Sequence, residues 1–314
     1  MDKIINSKDK HLLIIGGTGF IGKNLSKNAI IRGMKVTSLS LNKNEDFSDV
    51  NGVNYLYCDV LDHLKLKEIF KIDYDYIVNL SGYVDHSNFY KGGIDVIKSH
   101  FYGLINILNY INFSKCKKFI NIGSSDEYGE SLSPQDESIF PKPNTSYAFS
   151  KYAGTSLLQY LFRSENIPVA IVRLFLVYGP DQNKERFLPQ IIRGCYSKAP
   201  FPVSLGEQIR DFCFIDDVID AIFLILLSPK SNGEIFNIGS GIPIKIKDLV
   251  DLVRHKIGYG KPEFGKLPYK INEIMSLYAD ISKLKKILGW TPNVSLDEGI
   301  TKTIESFPDN ELQT

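Results

Sequence analysis

The segment His11-Leu12-Leu13-Ile14-Ile15 runs directly into Gly16-Gly17-Thr18-Gly19-Phe20-Ile21-Gly22. Side chains alternate between the two faces of a strand, so an apolar run with no alternation predicts a strand covered on both faces. The glycines at 16, 19 and 22 suit a sharp turn, a close approach of backbone to a diphosphate, and a helix packed tightly on its strand. The helix opening at Phe20 and Ile21 then presents backbone amides to negative charge. This strand–loop–helix order predicts that Gly16, Gly19, Phe20, Ile21 and Gly22 cradle a dinucleotide.

Strand-like runs continue at Lys35–Ser40, Val53–Tyr57, Tyr76–Leu80, Lys118–Ile122 and Val169–Val172. Helical runs lie between them, the longest at about 94–113 and 146–166. That alternation predicts right-handed βαβ units: an α/β Rossmann fold, a doubly wound parallel sheet with a smaller C-terminal substrate-binding lobe. Residues 1–175 form the cofactor domain and receive the segment 213–240; residues 176–212 and 241–314 form the lobe. A cleft between them is the expected ligand site. With 37 Lys and Arg against 36 Asp and Glu, the net charge is +1, and nothing points to nucleic acid or a membrane surface. The polar start and the shortness of the longest apolar run, Ala221–Leu227, make the cytoplasm the expected location. Cys58, Cys116, Cys195 and Cys213 lack metal spacing and read as idle thiols, so no metal is expected.

The second strand ends in Ser40, followed by Leu41, Asn42 and Lys43. A carboxylate there would hold a ribose 2′-hydroxyl. Its absence makes a 2′-phosphate acceptable to Ser40, Asn42 and Lys43, and places NADP ahead of NAD. Asp59, with Val60 beside it, either holds the adenine end or is a strand-end turn residue.

Tyr147 and Lys151 stand at i and i+4, on one face of a helix. An ammonium beside a phenol stabilises phenolate and lets tyrosine serve as acid or base. Ser124 and Ser125 end the fifth strand at the carboxyl edge of the sheet, where a hydroxyl can meet a substrate oxygen beside the tyrosine. Asp126 and Glu127 follow; they either act as acids and bases on a sugar carbon or are solvated loop charges.

Taken together, GGTGFIG, Asn79–Gly82 (NLSG), Ser124–Gly129 (SSDEYG), Tyr147 with Lys151, Arg173–Pro180 (RLFLVYGP), Arg210-Asp211-Phe212 and Phe236–Gly241 (FNIGSG) resemble the extended short-chain dehydrogenase/reductase family, in its nucleotide-sugar epimerase/dehydratase/reductase branch. The resemblance implies that Tyr147 is the catalytic acid/base, Lys151 its partner and Ser124 the catalytic hydroxyl, with Ser125 as an alternative. It implies that Leu80, Ser81 and Gly82 line the nicotinamide side. It implies that Arg210 grips the diphosphate of the substrate, and that Arg186, in the loop region 182–210, and Ser124 also contact the substrate. It further implies a homodimer built on a four-helix bundle of the two long helices. Two departures stand out: Leu176 replaces an asparagine of the family's diphosphate contacts, and Ser99-His100 replaces its Thr-Asn. His86 and His100 carry little weight as lone histidines.

The branch shares hydride exchange at a sugar carbon, usually C4. SSDEYG resembles 6-deoxy-sugar reductases, and the Ser40 ending suits a diffusible reduced cofactor. Both place a 4-keto-6-deoxy-sugar reductase of surface-polysaccharide sugar biosynthesis first. A 4,6-dehydratase, with Asp126 and Glu127 as acid and base, or a 4-epimerase are the alternatives. A non-catalytic NAD(P)-binding regulator is the reading of another class, and it has no need of the intact Tyr147/Lys151 pair.

Overall fold

The computed structural model describes residues 7–42, 49–269 and 273–307. Seven parallel strands form the main sheet: β1 (His11–Ile15), β2 (Lys35–Ser40), β3 (Val53–Tyr57), β4 (Tyr76–Asn79), β5 (Lys118–Ser124), β6 (Val169–Leu174) and β10 (Ile235–Ile238). Their spatial order is β10-β6-β5-β4-β1-β2-β3. The chain therefore moves outward from β1 in one direction and then crosses to β4 on its other side. That reversal opens a crevice at the carboxyl ends of β1 and β4.

The unbroken apolar run of β1 is buried on both sides, as expected. Leu12 and Ile14 join the core beneath α1 (Phe20–Ile31) and α7 (Ile215–Leu227), with Ile222 and Ile225 among their partners. Leu13 and Ile15 face the opposite core with Leu66 of α2 (His63–Ile69), Leu104 and Leu158. Leu104 lies on α4 (Gly103–Tyr110) and Leu158 on α5 (Ser146–Glu165).

The run expected to be one helix over 94–113 is segmented and ends earlier. A short α3 (Ile94–Ile97) passes through a π turn, Lys98–Tyr102, into α4. The π turn inserts one residue into the helical ladder and turns His100 inward, where it is buried. By contrast α5 runs unbroken, with the Thr145 hydroxyl accepting from the Ala148 amide (3.1 Å).

A second sheet joins β7 (Leu176–Tyr178), β9 (Ile209–Phe214), β11 (Pro243–Lys245) and β13 (Ser276–Leu277), all centred on β9. Its sequence motifs meet at one buried carboxylate. Asp211 Oδ1 accepts from the Ser240 amide (2.6 Å), and its Oδ2 accepts from the Gly241 (3.0 Å) and Ala279 (3.1 Å) amides. Asp217 on α7 likewise receives the Asn293 and Val294 amides. These two aspartates tie distant turns to the sheet and its flanking helix.

All four cysteines are buried free thiols. No helix among the described residues is long and apolar enough to cross a membrane, and no described group of His, Cys, Asp or Glu is arranged to hold a metal ion.

Lys118 opens β5 with its ammonium buried among neutral acceptors: the Ser228 carbonyl (3.1 Å), the Ser231 hydroxyl (2.7 Å) and the Asn232 amide oxygen. Burial pulls its pKa down to about 8. The unfolded chain keeps that proton to about pH 10.4. Between the two values the unfolded state binds more protons, so stability rises with pH. Chemical denaturation at pH 8 and pH 10 should show the wild type gaining on the order of 2 kcal/mol relative to Lys118→Met.

Candidate active site

The phosphate loop and the turn after β4 are pressed together. Gly16 has φ +85°, and a Cβ there would lie 2.9 Å from the Leu80 carbonyl carbon. A Cβ at Gly22 would lie 2.5 Å from the Gly16 carbonyl oxygen. The cradle is therefore backbone against backbone, with no room for side chains. Gly19 caps α1 without a side-chain hydrogen bond, which leaves the first-turn amides of Phe20 and Ile21 available. These features suit a dinucleotide diphosphate.

Around the loop, Ser40 is buried and its hydroxyl accepts from the Thr18 amide (3.1 Å). It thus secures the loop itself. Asn42 is exposed, and Lys43 lies outside the described residues. Asp59, just after β3, is exposed, and its Oδ1 accepts from the Leu61 amide (2.9 Å). Val60 packs over Gly103, where a Cβ would meet it at 2.7 Å. Ser81 donates to Asn79 Oδ1 (2.6 Å), and Asn79 donates to Asn121 (2.8 Å), stitching the ends of β4 and β5.

The chemical groups gather beside this cradle. Ser124 ends β5, and its hydroxyl accepts from the Asp126 amide (3.1 Å). Tyr147 and Lys151 occupy successive turns of α5 on its buried face, at 8% and 9% exposure. Lys151 Nζ donates to the Ile122 carbonyl (2.9 Å) and stands 5.8 Å from the Tyr147 ring centre. Burial pulls Lys151 down to about 8, opposed by the Glu127 charge. Burial pushes the Tyr147 phenol up, and the Asp126 charge adds to it; hydrogen bonding with Ser124 and the Arg186 charge act the other way. Tyr147 is therefore a neutral phenol, ready to give a proton.

Asp126 and Glu127 have opposite environments. Asp126 is half-buried, lies 3.2 Å from His86 Nε2, and acts electrostatically on both Tyr147 and Arg210. Glu127 is fully buried and paired with Arg173 at 2.9 Å. It is therefore not a solvated loop charge: its two oxygens are engaged inside the protein by the Ser124 amide, the Thr155 hydroxyl and Arg173. An isolated buried carboxylate is costly, and the turn Ser125–Tyr128 folds Glu127 inward to meet that partner. Ser125 is buried in the same turn. Arg210 is held by Glu273 and by the Ile209 carbonyl (2.8 Å). Arg186 is exposed at the start of α6 (Phe187–Tyr196).

Two residues given little weight in the sequence lie against Tyr147. The His100 ring is 5.3 Å from it, edge to face, and the His86 ring is 5.6 Å away. His100 bonds the Tyr83 carbonyl through Nε2 (2.8 Å). Burial, helped by Lys151, pulls it down to about 3, so it is neutral. Gly82 has φ +104°, and a Cβ there would lie 2.0 Å from the His100 ring: the turn needs glycine because the imidazole stacks on it. The departure at Ser99-His100 was the sequence signal for this contact.

A diphosphate cradle at the switch point of a parallel sheet, next to a serine, tyrosine and lysine, defines a dinucleotide-dependent oxidoreductase of the extended short-chain type. The chain belongs to the NAD dependent epimerase/dehydratase family, whose model matches residues 12–239. It is 28% identical to a UDP-N-acetyl-alpha-D-glucosaminuronate decarboxylase of Bacillus cytotoxicus, over 96% of this chain and 99% of that protein. It is 27% identical to the human dTDP-D-glucose 4,6-dehydratase, over 96% of this chain and 91% of that one. The structure of a UDP-glucuronic acid 4-epimerase from Bacillus cereus, in complex with UDP-glucuronic acid and NAD, matches with a TM-score of 0.85 at 25% identity, covering 94% of this chain and 98% of that one.

Proposed function

We propose that the protein exchanges hydride at C4 of a nucleotide-activated hexose, as a 4-keto-6-deoxy-sugar reductase. The observation that carries this reading is Tyr147, buried on the same helix face as Lys151 and beside Ser124, at the edge of the phosphate cradle. The 4-keto oxygen lies between the Ser124 hydroxyl, which donates a hydrogen bond, and the Tyr147 phenol, which gives its proton as the alkoxide forms. Lys151 stabilises the phenolate that remains. Arg186 and Arg210 receive the diphosphate of the substrate. Gly16, Gly19 and Gly22 hold the dinucleotide, whose nicotinamide supplies the hydride when bound.

The burial of Glu127 supports this reading over a dehydratase. Removing water across C5 and C6 calls for an acid and a base besides Tyr147, and of the expected pair only Asp126 faces it. A second reading, 4-epimerase, draws support from Ser40. Its hydroxyl is engaged with Thr18, so the ribose end favours NAD over the NADP expected from the sequence, and NAD suits a cycle that returns its hydride. Mass spectrometry on a panel of intact and 4-keto-6-deoxy nucleotide sugars distinguishes the three. A gain of two hydrogens with reduced cofactor consumed supports the reductase. Unchanged mass with a new epimer by NMR supports the epimerase, and loss of water would refute both.

The dinucleotide assignment predicts a large effect at Gly22. Gly22→Ala puts a methyl within 2.5 Å of the Gly16 carbonyl. It should weaken NADH binding at least about 100-fold by titration of cofactor fluorescence, a loss of about 2.7 kcal/mol.

The homodimer is also part of this proposal. Tyr102 and Ile105 before and on α4, and Phe149 and Tyr160 on α5, are exposed apolar side chains on the two helices expected in the bundle. A monomeric mass by light scattering would refute it.

A further inference from the structure

We propose that Glu127 and Thr155 are positioning residues, a buried clamp that fixes the Ser124 hydroxyl on β5 relative to the Tyr147–Lys151 face of α5. The proposal rests on the roles given above to Ser124, Tyr147 and Lys151.

Those groups come from two separate elements, and their spacing has to be held by something that touches both. One carboxylate does. Glu127 Oε1 accepts from the Ser124 backbone amide (3.0 Å). Its Oε2 accepts from the Thr155 hydroxyl (2.9 Å) and from Arg173 Nε on β6 (2.9 Å). Thr155 lies four residues beyond Lys151 and eight beyond Tyr147, so all three share one face of α5. Glu127, Thr155 and Arg173 are at most 2% exposed. In that setting the charge-assisted bonds are unscreened by water and geometrically exacting. Gly123 leaves the space, since a Cβ there would lie 2.3 Å from Glu127 Oε1.

The chemistry requires a carboxylate. Three donors converge on it, from the strand end, the helix and β6. A glutamine offers one acceptor oxygen and turns an N–H toward Arg173 or Thr155. The same charge bears on Lys151, whose burial disfavours its ammonium. Tyr147 on its own helix and His100 from the π turn also lie near that ammonium. His100 is neutral.

The test compares kcat, KM and pH profiles of wild type, Thr155→Val, Thr155→Ser, Glu127→Gln and Tyr147→Phe on the nucleotide sugar turned over in the panel, with NADH binding as a check on the folded site. Thr155→Val keeps the shape of the helix and removes one arm of the clamp; kcat should fall about tenfold with KM unchanged, and Thr155→Ser should restore it. Glu127→Gln should lower kcat about 100-fold and move the alkaline limb of the profile to lower pH, which a loss of packing alone would not do. Wild-type kcat and an unmoved limb in Thr155→Val and Glu127→Gln, with Tyr147→Phe inactive, would overturn the clamp. So would a defect in Thr155→Val that Thr155→Ser fails to rescue. Should Glu127→Gln not fold, the Thr155 pair decides alone. Full activity in Tyr147→Phe, or no turnover of any panel member, would instead remove the site reading and the clamp with it.

Discussion

Tyr147→Phe should lower kcat about 1000-fold while leaving the fold and cofactor binding in place. The ring remains to pack against His100 at 5.3 Å and His86 at 5.6 Å, so only the hydroxyl is lost. That hydroxyl hydrogen-bonds with Ser124 and is the group on which the Asp126 and Arg186 charges act. The stability change should stay within about 1.5 kcal/mol, the usual net contribution of one hydrogen bond. Steady-state rates and a denaturation curve on the same preparation check both halves. An unchanged rate would take the proton-transfer role away from Tyr147, whereas no turnover by the wild type would leave the dinucleotide cradle as a binding site without chemistry, which is the regulator reading. The wild-type rate should also depend on Lys151. Its pKa is pulled down to about 8, so the ammonium is present below that pH and lost above it. The rate should therefore fall as pH rises through about 8, where an unperturbed lysine would hold its proton to about 10.4.

The second large effect concerns stability. Arg173→Met should destabilise the protein by about 3–5 kcal/mol, because it leaves Glu127 buried with its charge uncompensated. Arg173 is 1% exposed, donates to Glu127 at 2.9 Å and stacks 4.5 Å above the Tyr128 ring. The double variant Arg173→Met with Glu127→Met should recover most of the loss, since a buried ion pair and a well-packed apolar pair are often nearly equal in stability. Urea midpoints at constant m-value would report it. A single variant as stable as wild type would mean that water or backbone movement relieves the carboxylate.

Much of the site was legible because it depends on short-range rules. An unbroken apolar run placed β1, and glycine spacing placed the cradle. The i, i+4 spacing put Tyr147 and Lys151 on one helical face, where they are found. Each of these is decided within about one turn of helix or one strand, so neighbouring residues suffice. The long helix after β4 was legible only in part: helical periodicity has no term for the π turn at Lys98–Tyr102 that turns His100 toward Tyr147.

What the chain determined alone was the order of its elements, the phosphate loop and the pairing of tyrosine with lysine, because local sterics and periodicity set them. What only the tertiary structure decided was the protonation and company of the charged groups. Asp126 and Glu127 are adjacent in sequence and alike in chemistry, yet one meets His86 beside the cleft and the other Arg173 in the core. Ser40 had the same ambiguity until the Thr18 amide came to its hydroxyl. Such outcomes depend on burial and on partners brought from other strands and helices, and the free energy of a charge is governed by those distant neighbours.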